Sequence, residues 1–123
     1  MKRVFIAFAS EDETYRDFLK GQSLLPNSDY EFIDMSVKEP YDEDWKNRVR
    51  TRIRGSAGVI VLLSKNSLSA SGQKWEIKCA VEEEIPTLGV YIHSDDHSKP
   101  SEMAGIRCIN WSRDDVAAFI NGL

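Results

Sequence analysis

The sequence predicts an α/β fold in which helices cover both faces of a parallel sheet. Three observations predict it: short apolar runs recur along the chain, segments of helical period separate them, and the connections between the two are brief. Val4 to Ala9 is the first run, continuous as a strand covered on both faces should be. Ser10 and Glu13 form an S-x-x-E capping box, which starts a helix running to about Leu24. Tyr15, Phe18 and Leu19 supply its expected buried stripe, and Gly21 or the Pro26-Asn27 pair marks its exit. Tyr30 to Asp34 is a shorter strand. Met35 to Asp42 follows as a loop, where Pro40 discourages helix. The next helix, roughly Glu43 to Arg54, sets Trp45, Val49 and Ile53 at i, i+4 and i+8.

Gly58 to Ser64 reads as a buried third strand ending in a polar turn, Ser64-Lys65-Asn66-Ser67. A helix carrying Trp75-Glu76-Ile77 comes next and ends at Glu82-Glu83-Glu84 before Ile85-Pro86. Thr87 to Ile92 is the fourth strand, His93 to Glu102 a polar loop, and Ile106 to Asn110 a short fifth strand. A last helix opens on the Ser112-x-x-Asp115 capping pair and buries Val116, Phe119, Ile120 and Leu123. Five strands and about five helices in this alternation suit a flavodoxin-like sheet of order 2-1-3-4-5, with residues 1–123 forming one domain.

Composition removes several function classes. The 41% hydrophobic and 29% charged fractions are those of an ordinary globular chain. A formal charge of −4 gives no support for binding nucleic acid or anionic membrane by bulk charge. No apolar run approaches the roughly 18 residues of a transmembrane span. Glu11, Asp12 and Glu13 cut short a beginning that otherwise resembles a signal peptide. Cys79 and Cys108 are too few for a disulfide scaffold and fit reduced thiols, so the expected location is cytoplasmic. Neither a P-loop nor a G-x-G-x-x-G fingerprint is present. A phospho-receiver of this fold would want Asp where Ser64 stands and Lys where Asn110 stands.

In a sheet of this order ligands sit beyond the carboxyl ends of strands one and three, next to Ser10 and Ser64. Glu76 is the residue to explain there. A lone Glu usually faces solvent, but Trp75, Ile77, Cys79 and Ala80 give this one an apolar, partly inward face. Burial raises a carboxylate's pKa, and a cleft acid is a functional candidate. Ser10 reads as a helix N-cap, a role compatible with ligand contact. Asp34 and Ser36 follow strand two at the ligand edge, where they could bind hydroxyls. Lys38 could bind a phosphate there, or with Glu39 it simply shapes the loop. The basic residues from Lys46 to Arg54 read as solvated surface, or as a partner for Glu82-Glu83-Glu84 on a neighbouring copy. His93 and His97 flank Asp95 and Asp96 in a loop, without the helical register of a metal site. Cys79 reads as a small core residue.

Arg3-Val4-Phe5-Ile6-Ala7-Phe8-Ala9-Ser10-Glu11-Asp12 resembles the first box of TIR domains. Leu63-Ser64-Lys65-Asn66-Ser67 is similar to the turn after their third strand, and Trp75-Glu76-Ile77 to the helix segment bearing their catalytic Glu. The resemblance is nearest to small stand-alone bacterial TIR-like proteins, including the sensor component of Thoeris anti-phage defence, and runs from Lys2 to about Leu123. It implies cleavage of NAD, as substrate rather than cofactor, at the nicotinamide–ribose bond, yielding an ADP-ribose-derived nucleotide signal that reaches a separate effector. Glu76 falls on the catalytic position; Phe8 and Ser10 line the nicotinamide-ribose pocket; Asp34 and Ser36 lie in the loop that closes over the nucleotide. No metal, nucleic acid or membrane is implied; the family often needs a trigger to assemble its pocket, and self-association into an oligomer is expected. One position departs from the pattern. Many members carry Trp four residues before the Glu, where this chain has Gly72, so that either Trp75 or Trp45 rebuilds the aromatic wall or the pocket is looser. The same resemblance allows a non-catalytic assembly module acting through protein–protein contacts.

Overall fold

The computed structural model describes residues 1–22, 24 and 29–123. Its five strands are β1 (Lys2–Ala7), β2 (Tyr30–Ile33), β3 (Gly58–Leu63), β4 (Thr87–Tyr91) and β5 (Cys108–Asn110). All pair in parallel in the order β2-β1-β3-β4-β5, as the sequence predicts. β3 is central, and all six of its residues are buried, which is why it reads as an unbroken apolar run.

Four α-helices occur among the described residues: α1 (Glu13–Gly21), α2 (Glu43–Arg54), α3 (Ser71–Glu82) and α4 (Arg113–Asn121). Helices α2 and α3 pack on one face of the sheet and α1 and α4 on the other. Trp45, Val49, Ile53 and Ile77 meet Phe5, Val59, Val61 and Leu63 on the first face. Leu19, Val116 and Ile120 meet Val4, Ile6, Ile60 and Leu62 on the second. The expected count of about five helices drops to four because β4 and β5 are joined through a single 3-10 turn, Ser101–Met103. Its Met103 fills the core beside α3. None of the helices among the described residues is long and apolar enough to cross a membrane.

Three local expectations fail. Ser10 caps nothing through its side chain: it is exposed and opens a 3-10 turn, Ser10–Asp12, that precedes α1. The expected stripe of α1 is also rotated. Tyr15 and Phe18 are 36% and 61% exposed, while Asp12, Arg16 and Leu19 are buried. Arg16 wins the inner position because ion pairs await it there, as shown below. The alternative exit of this helix at Pro26-Asn27 lies outside the described residues, and α1 ends at Gly21. Finally, the basic face of α2 finds its acidic partners within the same chain. Arg50 binds Glu82 (2.7 Å) and Glu83 (3.0 Å), and Arg54 binds Glu83 (2.8 Å).

Candidate active site

The switch point falls between β1 and β3, and two buried side chains fix its floor. The Gln73 amide on α3 donates through Nε2 to the Leu62 carbonyl at 2.6 Å and the Ala7 carbonyl at 3.2 Å. Facing two acceptors, the nitrogen must point at them, and Oε1 is left buried with no hydrogen-bond partner. Asp12 accepts from the Ser64 hydroxyl at 2.7 Å and from the Asn66 amide at 3.0 Å. The Ser64 hydroxyl in turn accepts from the Asn66 backbone N–H, capping the 3-10 turn Lys65–Ser69. A buried carboxylate is tolerated only when its lone pairs are occupied, so Asp12 ties the exit of β1 to the turn after β3.

Glu76 lies one helical turn beyond Gln73 and is 0% exposed. Its Oε2 accepts from Lys38 Nζ at 2.7 Å, and the Lys38 side chain is itself only 8% exposed. Oε1 has no hydrogen-bond partner. Burial pushes the Glu76 carboxyl up to about 7. The ion pair and hydrogen bond from Lys38, with a smaller contribution from the Phe8 backbone, oppose that rise, and the charge of Asp34 adds to it. An acid that titrates near neutrality inside a dry crevice can exist there in either form.

Lys38 reaches Glu76 because of what position 72 lacks. A Cβ built on Gly72 would stand 3.1 Å from Lys38 Cβ and 3.4 Å from its Cγ and Cδ, so the lysine stem runs where a side chain would be. The space beside Gly72 is thus taken by Lys38 rather than by either tryptophan. Lys38 Nζ also sits 3.9 Å from the centroid of the Phe8 ring, and the Arg16 guanidinium covers the same ring at 4.9 Å. Arg16 in turn donates to Asp34 (3.0 Å) and Ser36 (2.8 Å), and the Ser36 hydroxyl donates to Asp34 (3.0 Å). Burial alone would raise the Asp34 pKa, but Ser36, Lys20 and Arg16 together hold it below the ordinary range. Phe8, Asp34, Ser36 and Glu76 therefore form one cluster, joined by Lys38 and Arg16.

The remaining candidates sit apart or beneath. Ser64 is committed to Asp12, and Ser10 stands exposed at the rim. Trp45 is buried under the loop and donates its indole N–H to the Val37 carbonyl at 2.8 Å. Trp75 turns toward α2, donating to the Lys46 carbonyl at 3.2 Å, with Lys46, Arg50 and Lys78 around its ring at 5.1 to 5.5 Å. Burial pushes the Cys79 thiol up to about 11, which leaves it inert as a nucleophile. His97 shares a hydrogen bond with the Asn110 side chain at 2.7 Å and stacks on Tyr91, while His93 meets the edge of Tyr15. No group of three His, Cys, Asp or Glu among the described residues could hold a metal ion. Sequence reasoning missed Asp12, Arg16 and Gln73 as buried polar residues, and Lys38 as the partner of Glu76. The one available signal was Gly72, a glycine in the first turn of α3 four residues before the acid.

A family profile described as Thoeris protein ThsB, TIR-like domain, matches residues 5–97. The chain belongs to that family. The matched span of this ThsB TIR-like domain holds the whole candidate cluster from Phe8 to Glu76, whereas β5 and α4 follow it. Membership puts the chain in a family of Thoeris anti-phage defence. No curated protein matches it.

Proposed function

We propose that this ThsB TIR-like domain cleaves NAD at the nicotinamide–ribose bond and yields an ADP-ribose-derived nucleotide signal for a separate effector. The observation that carries the reading is the fully buried carboxylate of Glu76 at the switch point, beside the aromatic face of Phe8. One acid suffices for this reaction. Most glycosidases need two carboxyl groups because an alkoxide leaves poorly without protonation. Nicotinamide departs from a cationic pyridinium as a neutral base, so no general acid is required. The ionised Glu76 stabilises the oxocarbenium-like charge that develops at the anomeric carbon, and a water-poor crevice strengthens that attraction. Its Oε1, buried without a hydrogen-bond partner, would accept a ribose hydroxyl once the crevice admits the substrate and so orient the sugar. The nucleophile that follows sets the product: water gives ADP-ribose, and an internal nitrogen or hydroxyl gives a cyclic form.

Mass spectrometry of NAD incubated with the wild type and with Glu76→Ala, each with and without lysate from phage-infected cells, tests the reading. Nicotinamide release by the wild type that disappears in the variant supports it; equal release by both refutes it. A second reading, assembly without catalysis, draws on one observation: Thr14, Tyr15, Phe18, Ile92 and Trp111 line an apolar groove of about 300 Å³ on the α1 side. Concentration-dependent self-association with no NAD turnover under any of these conditions would favour that reading.

A further inference from the structure

We propose that Lys38 is a built-in counter-cation that holds the place of the ligand's own positive ring, and that the crevice opens only by exchanging one cation for the other. The inference rests on the assignment of Glu76 to a pyridinium substrate and adds how that site selects and admits it. The Lys38 ammonium satisfies two features at once, a carboxylate oxygen at 2.7 Å and an aromatic face at 3.9 Å. A planar aromatic cation carries the same two complementarities, since its charge suits Glu76 and its ring stacks on Phe8. Both cannot be present. The stem of Lys38 fills the room left by Gly72, and with it in place Glu76 has no exposed surface.

The exchange is balanced in charge, which gives it selectivity. If a neutral ligand displaced Lys38, Glu76 would have to remain a buried carboxylate without a counter-ion or take up a proton, and either course costs binding energy. A cationic ligand restores the pair, while Lys38 regains its hydration outside. Lysine suits this part better than arginine, being a compact point charge on a flexible stem with no planar fork to disengage. Hydrogen bonds tie the loop backbone on both sides of Lys38, so the exchange calls only for motion of its side chain. Arg52 holds the Asp34 carbonyl at 2.8 Å, Trp45 holds the Val37 carbonyl at 2.8 Å, and the Asp42 N–H bonds the Glu39 carbonyl at 2.9 Å. The apolar side chains of Val37 and Tyr41 are 68% and 92% exposed, so they contribute little to holding the segment down. Outside it, Lys38 to Asp42 line an open cleft of about 790 Å³ into which the lysine can withdraw.

The test uses the 1-methylnicotinamide cation and neutral nicotinamide as probes, titrated by calorimetry into the wild type, Lys38→Met and Lys38→Gln. Circular dichroism verifies folding, and the near-isosteric Gln keeps the experiment open if Met destabilises the chain. Both substitutions are expected to tighten the cation by about tenfold or more; the wild type and both variants bind it more tightly than nicotinamide, and adding Glu76→Gln abolishes that preference. In the wild type, saturating cation should shift the indole N–H resonance of Trp45, whose acceptor is the residue before Lys38. Cation affinity that is unchanged or weaker in both variants overturns the proposal, as does a preference for the cation that survives Glu76→Gln or no cation binding by any protein at millimolar concentration. A parallel assay of nicotinamide release from NAD separates this proposal from the enzymatic reading. Tighter cation binding with no turnover in any protein sustains the exchange and removes the enzyme; turnover by the wild type with no gain in binding does the reverse.

Discussion

Helix α3 carries Glu76 in its middle and is followed at once by Glu83, and each carboxylate meets cations from another element. Lys38 of the β2–α2 loop serves Glu76, and Arg50 and Arg54 of α2 serve Glu83. The results are opposite. Hydrogen bonds from Arg54 and then Arg50 hold Glu83 down to about 2, whereas burial pushes Glu76 up to about 7 despite its lysine. The difference lies in solvent and in number of donors. Glu83 is partly exposed and has both oxygens engaged by guanidinium groups, while Glu76 is wholly buried, with Lys38 as its side-chain donor and the other oxygen left without one. An ion pair on this helix therefore signifies a stable edge in one place and a chemically poised acid in the other.

The sharpest test of that contrast is activity. Glu76→Ala should reduce nicotinamide release by about a thousandfold, the scale expected for removing a principal transition-state stabiliser. Glu83→Gln should change it by less than about twofold, because exposed pairs of this kind contribute little. Equal losses would erase the distinction. The pH dependence follows with its sign. If catalysis uses the ionised acid, kcat/KM rises as pH passes upward through about 7, the value to which burial pushes Glu76. A flat profile from about pH 6 to 8, roughly one unit either side of that value, would break the assignment.

Stability gives the next effect. The Glu76 carboxyl is raised from 4.5 to about 7 on folding, so the folded chain holds a proton that the unfolded chain has released between those values. Its contribution to stability therefore falls as pH rises across that window. Glu83 behaves inversely: its contribution is present above the ordinary carboxylate value of 4.5 and is lost as pH falls toward 2. Lys38→Met should cost about 3 to 5 kcal/mol at alkaline pH, where it strands a buried charge, and clearly less at mildly acidic pH, where Glu76 is neutral. Chemical denaturation at the two pH values measures this, and equal losses would contradict it. Arg50→Ala, by contrast, should lower Tm by no more than a few degrees, with the loss shrinking in high salt. The smallest expected change is a gain. Glu84 has φ 56° at the end of α3, where the Ile85 N–H bonds the Ala80 carbonyl, so Glu84→Gly should stabilise the chain by about 1 kcal/mol in the same denaturation assay.

The strands, their order and α2 were legible because continuous apolar runs and helical spacing arise from the core itself. Glu76 was legible for a related reason: Trp75 and Ile77 beside it announce an inward face. What was not legible depends on pairings between distant residues. Nothing local marks Lys38 as the partner of a carboxylate 38 positions away. The Tyr15 and Phe18 stripe failed because hydrophobicity alone ranks them above Arg16, and only Asp34 and Ser36, brought in by β2, reverse that order. Ser10 failed as a cap because the chain turns first in a tighter 3-10 form.

The Gln73 amide bridges the carbonyls at the ends of β1 and β3, so those strands cannot part without forfeiting both bonds. The mouth of the sheet is thereby kept at constant width. Guests of different bulk must be accommodated by the eight residues from Met35 to Asp42, and divergence confined to that stretch would retune admission while the scaffold stayed as it is.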